Sequence, residues 1–123
     1  MKEITPEKMA AYRATARRRR EEEARELKQR RRRACQVAGA ASSLLKEQFG
    51  AQRVVLFGSV RFPERFHRRS DIDLAVWGLD ERLYYRAVSR LIDLDSTISI
   101  DLIEAETAPS NLLAVINRDG ISL

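Results

Sequence analysis

Asp71 and Asp73 stand two residues apart in an otherwise apolar run, interleaved with Ile72, Leu74 and Val76. The alternation has the period of a β-strand, so both carboxylates leave one face with Cα atoms about 7 Å apart. Ionised neighbours in a poorly solvated strand repel and raise one another's pKa unless a cation sits between them. A hard divalent ion resolves that conflict, and Mg2+ typically takes one or two protein carboxylates plus phosphate oxygens. Upstream, Gly58-Ser59 follows the apolar segment Val54-Val55-Leu56-Phe57. Glycine there lets backbone N–H groups approach a phosphate closely, and Ser59 adds a hydroxyl at the same place. Asp101 is the acid within a third alternating segment, Ile98 to Ile103, on a polar face that can converge with Asp71 and Asp73. Arg61, Arg65, Arg68 and Arg69 fill the intervening loop, where they can steer a triphosphate or neutralise developing charge. His67 is read as a loop residue and Trp77 as packing at the sheet end.

Several elements must position these residues. Thr5-Pro6-Glu7 is a helix start, with a Thr cap, proline at the first helical position and acid in the first turn. Helix formers dominate Arg17 to Arg33, and Arg17/Glu21, Arg18/Glu22, Glu21/Arg25 and Glu26/Arg30 fall at four-residue spacing. Apolar residues are sparse there, which predicts a charge-laced helix that projects from the domain or docks on something outside this chain. Val37, Ala38, Ala41, Leu44, Leu45 and Phe49 then recur at spacings of three and four, the mark of a helix packed on a core, and Gly50 ends it. Val54 to Phe57 is a buried strand. Val60 to Ser70 is a loop or a short helix broken at Pro63, and a strand carries Asp71 and Asp73. Gly78-Leu79-Asp80 turns into a helix over Glu81 to Leu91, with Leu83, Tyr84, Ala87, Val88 and Leu91 inward and Tyr85 outward. A third strand carries Asp101. Thr107 to Ser110 caps a last helix bearing Leu112, Leu113, Val115 and Ile116, and Ile121 to Leu123 is a short edge strand. The expected class is α/β, a small mixed sheet flanked by helices, with a charged helical extension over 1–33 and one domain over 34–123.

Composition limits what else the chain can be. It has 123 residues with a formal charge of +5, but the charge is uneven. Met1 to Gly50 holds 14 Lys and Arg against 7 Asp and Glu, and the rest holds 9 against 11. The acidic majority argues against a nucleic-acid coat. One cysteine and one histidine exclude an internal disulfide and a self-sufficient zinc site. No run of about 18 apolar residues suggests a membrane span, and no apolar leader follows Met1; the cytosol is the expected compartment.

Gly-Ser at a strand end, Asp-x-Asp in the next strand and a single Asp in a third resemble the minimal nucleotidyltransferases (MNT) of the polymerase-β-like superfamily, antitoxins of HEPN/MNT modules. The resemblance spans Ala34 to Leu123 and departs from the usual pattern at Val60-Arg61-Phe62-Pro63. It implies the polymerase-β-like nucleotidyltransferase fold. It also implies Mg2+, as two ions, on Asp71, Asp73 and Asp101, with Asp101 helping to deprotonate or orient an attacking hydroxyl. Gly58 and Ser59 would cradle the triphosphate of ATP, with Arg61 and Arg69 as further nucleotide contacts. AMP would pass to a tyrosine of a partner HEPN ribonuclease, silencing it. A catalytically weak module that masks the toxin by binding, and a transferase acting on an RNA end, are the alternatives. The arginine-rich helix is expected to dock on an acidic toxin surface, with nucleic acid second.

Overall fold

The computed structural model describes residues 3–123. One helix dominates it. α1 runs unbroken from Pro6 to Phe49, with the Thr5 hydroxyl accepting from the Lys8 N–H at 3.2 Å and Gly50 closing the other end in the left-handed region. Its charged half is unburied: from Pro6 to Glu26 every residue is exposed. None of the Arg/Glu pairs expected on this stretch comes within ion-pair distance. The buried stripe, Ala34, Val37, Ala38, Ala41, Ser42 and Leu45, follows the spacing that predicted a core face.

Four strands form a mixed sheet in the order β3-β2-β1-β4. β1 (Arg53–Phe57) pairs antiparallel with β2 (Ile72–Trp77), and β2 pairs parallel with β3 (Ile100–Glu104). The parallel pair requires a crossover, which α2 (Tyr84–Ile92) supplies. β4 (Ile121–Ser122) is the expected edge strand, antiparallel to β1. α3 spans Ser110–Asp119. Its start falls within the expected Thr107 to Ser110: Pro109 holds the cap position with no side-chain hydrogen bond, and Thr107 belongs to a short 3-10 turn, Ala105–Thr107.

The sheet separates two apolar layers. Val54, Leu56, Ile72, Leu74, Val76 and Leu102 face α1 and α2 in the larger core. Val55, Phe57 and Ala75 pack with Ile116 of α3 in the smaller one. Both layers are dense enough that truncation leaves a void, whereas the arm of α1 has nothing to lose. Leu45, fully buried, should cost about 2–5 kcal/mol on replacement by alanine. Tyr12→Ala, at a side chain 61% exposed, should stay within about 0.5 kcal/mol in the same urea titration.

Candidate active site

The acids meet at one end of the sheet. Asp73 is opposite Phe57 on β1 and directly opposite Asp101 on β3. Strand alternation therefore puts both on the α3 side, with Asp71 just before β2 leaving in the same direction. α3 does not reach far enough to cover them: Asp71 and Asp101 are exposed and Asp73 is half-buried. Like charges directly opposite across a ladder are unfavourable. Burial, then Asp101, then Asp71 push the Asp73 carboxyl up from 3.8 to about 6.

Gly58 is fitted to this carboxylate. It ends β1 with φ +78°, a conformation that side chains disfavour, and a Cβ built there would collide with Asp73 Oδ2. Ser59 opens a 3-10 turn, Ser59–Arg61, closed by bonds from Arg61 N–H to the Gly58 carbonyl and Phe62 N–H to the Ser59 carbonyl, both 3.1 Å. The first N–H groups of such a turn have no partner within it. The close approach of Gly58 to Asp73 was not readable from the sequence, because it depends on the β1–β2 register.

The arginines go elsewhere. Arg61 donates from Nε to the Asp119 carbonyl at 2.9 Å, capping the end of α3, and lies 5.5 Å from the Phe62 ring. Arg65 stacks over the same ring at 4.6 Å. Arg69 lines a cleft of about 860 Å³ between α1 and the loop before β2, with Arg20, Glu23, Leu27, Arg30 and Arg68. None of the three acids lines that cleft, nor the second one beside β3. Asp71, Asp73, Asp101, Gly58 and Ser59 thus form an open shelf, and Arg69 belongs to a separate hollow. Trp77 lies under Arg53, 4.6 Å from its ring centre, and Tyr84 donates to the Leu102 carbonyl at 2.6 Å.

Among the described residues, no three His, Cys, Asp or Glu side chains form a ready metal cage. The donor set still suits Mg2+ brought in with a nucleotide, since that ion needs few protein carboxylates once phosphate oxygens complete its shell. Repelling acids around a carboxyl raised to about 6 provide the electrostatic reason for such an ion. The missing side chain at Gly58 is what lets the Asp73 carboxylate lie against the turn that opens at Ser59.

These features have counterparts in known proteins. The family model described as Polymerase beta, Nucleotidyltransferase matches residues 40–123. A toxin-antitoxin complex crystallised with AMP-PNP contains a chain 26% identical, with TM-score 0.58, covering 69% of this chain and 70% of that one. A structure solved as a candidate minimal nucleotidyltransferase is 26% identical with TM-score 0.53, covering 82% and 96%. A Shewanella oneidensis complex of tri-AMPylated HEPN toxin with MNT antitoxin shares the fold at 22% identity, TM-score 0.55, covering 72% and 70%. No curated protein matches the chain by sequence.

The raised carboxyl has a measurable consequence. A proton binds Asp73 more tightly in the fold than in the unfolded chain, so ionisation costs stability at neutral pH, and protonation restores it as pH falls through about 6 toward 3.8. Asp73→Asn should melt a few degrees above wild type at neutral pH, with the gain shrinking to nothing near pH 4. A lower melting point for the variant at neutral pH would show that the carboxylate is not a net cost.

Proposed function

The chain belongs to the polymerase beta nucleotidyltransferase family, and from that premise we propose that it transfers AMP from ATP to a tyrosine of a helical HEPN-type ribonuclease toxin. The observation that carries the reading is the shelf itself: Asp73 opposed to Asp101 and abutting Gly58. The AMP-PNP-bound toxin-antitoxin complex supports an ATP-class nucleotide, and the AMPylated Shewanella complex supplies the precedent for the acceptor.

Gly58 and Ser59 receive the triphosphate, their backbone N–H groups and the Ser59 hydroxyl donating to its oxygens. Asp71 and Asp73, with Asp101 completing the set, would hold Mg2+. When bound, that ion neutralises the phosphates and stabilises charge on the attacking and leaving oxygens. Asp101 orients the acceptor hydroxyl and takes its proton. The acceptor oxygen bonds to the α-phosphorus as the bond from that phosphorus to the bridging oxygen breaks, and pyrophosphate departs. Arg69, at the edge of its own hollow, is left to steer the incoming anion, and Arg61 to fix the end of α3 beside it.

An open shelf excludes water only when something covers it, which favours a macromolecular acceptor that completes the site. The arm of α1, Pro6 to Glu26, is the extension on which that partner docks, with nucleic acid as second choice. ATP as substrate puts the protein in the cytoplasm, and among the described residues no helix is long and apolar enough to cross a membrane.

Incubated with its HEPN-type partner, the chain should transfer label from ATP radiolabelled at the α-phosphate and none from ATP labelled at the γ-phosphate. Asp71→Ala and Asp73→Ala should each lower the signal at least about 100-fold, the usual cost of losing transition-state charge stabilisation. Label that persists in both variants, or that appears on RNA in place of protein, contradicts the proposal.

A further inference from the structure

The arginine run Arg30 to Arg33 lies where α1 meets the domain, and Arg30, Arg31 and Arg33 reach back onto it. Arg30 donates from one terminal nitrogen to the Thr97 carbonyl at 3.0 Å and from the other to the Ser70 carbonyl at 3.5 Å. Arg31 donates from Nε to the Val60 carbonyl at 2.8 Å and from a terminal nitrogen to the Arg61 carbonyl at 3.4 Å. Arg33 pairs with Asp95 at 2.9 Å, and Asp95 accepts from the Thr97 N–H and hydroxyl. Exposed Arg32 makes no such contact.

The acceptors share a feature that has nothing to do with charge. Ser70 immediately precedes Asp71, Thr97 leads into the strand of Asp101, and Val60 and Arg61 immediately follow Gly58-Ser59. One helix turn thus grips the three backbone segments that carry the shelf, from the opposite side of the sheet. The leads to β2 and β3 are also tied directly, by the Ile72 N–H donating to the Ser99 carbonyl at 2.9 Å. A guanidinium suits this work because its planar fork fixes two acceptors relative to one another, while an ammonium is a point donor. The arrangement has a cost: Arg30 Nε is buried with no partner. A side chain kept for packing alone would avoid that orphaned donor.

We propose that Arg30 and Arg31 are positioning residues for the transfer site, holding the β2 lead, the β3 lead and the Gly58-Ser59 turn in the spacing that brings three carboxylates to one nucleotide. The inference rests on the nucleotidyltransferase reading above, and its test separates the two. Arg30→Lys, Arg30→Met and Arg31→Met are compared with wild type and Arg32→Met for folding, for ATP affinity in EDTA, for the Mg2+ concentration that half-saturates ATP binding, and for the kcat of transfer. Misplacement by about 1 Å can cost about 100-fold in rate. The positioning variants should therefore lose about 10- to 100-fold in kcat and need about tenfold more Mg2+. Their affinity for ATP in EDTA should stay within about twofold of wild type, and Arg32→Met should match wild type throughout. If wild type binds ATP with Mg2+ yet labels no toxin, the acceptor reading fails, and the Mg2+ requirement alone decides the role of the arginines. If Arg30→Met does not fold, Arg30→Lys decides. An unchanged Mg2+ requirement in folded variants, or ATP binding lost in EDTA as well, overturns the proposal.

Discussion

Asp73 and Asp101 face each other across adjacent parallel strands, with Asp71 two residues away. Among the described residues, none of the three carboxylates takes part in an ion pair. The half-burial of Asp73, and then repulsion from Asp101 and Asp71, raise its pKa to about 6, so at neutral pH the fold carries that charge at a loss. A sheet end bearing such a charge cluster must be held by contacts made elsewhere, and the rest of the molecule can be understood as that support. The larger apolar layer clamps β1 and β2 from the α1 and α2 side. α3 packs on the other face but stops short of the acids. Gly58 yields the space that the Asp73 carboxylate occupies.

α1 serves two physical roles along one continuous rod. Its C-terminal half is a core helix, fixed by a stripe of small and branched residues on the sheet. Its first part, Pro6 to Arg19, is exposed, and at about 1.5 Å per residue it extends roughly 20 Å past the cleft that Arg20 and Glu23 line with Arg68 and Arg69. Between them lies the arginine turn that grips the site-bearing loops. The rod is thus anchored on the face of the sheet opposite the shelf and is exposed toward its far end.

Much of this was legible in the sequence. Alternation over Ile72 to Val76 gave the strand and the common face of Asp71 and Asp73, and the three- and four-residue spacing from Val37 to Leu45 gave the core face of α1. The edge strand at Ile121 and the Gly58 turn were likewise readable. The arginine runs Arg17 to Arg20 and Arg30 to Arg33 were not distinguishable, because both appear simply as positive charge. What separates them is that Arg30 reaches carbonyls 40 and 67 residues away, a contact that leaves no periodic trace. For the same reason the bond from Arg61 Nε to the Asp119 carbonyl at the end of α3 was not readable. The start of α3 was readable only as Thr107 to Ser110, within which the chain places Pro109 at the cap. The change in composition at Ala34 does not interrupt α1, since helix propensity is satisfied on both sides of it.

The central claim is that a nucleotide-bound divalent cation relieves the charge cluster, and proton linkage tests it most directly. Titrating ATP with Mg2+ into the protein near pH 6, in buffers of different ionisation enthalpy, measures protons exchanged on binding. With Asp73 about half protonated before binding, the account predicts release of a fraction of a proton per site, lost in Asp73→Asn and absent when Mg2+ is replaced by EDTA. Binding with no proton release, or release that survives in Asp73→Asn, would contradict it.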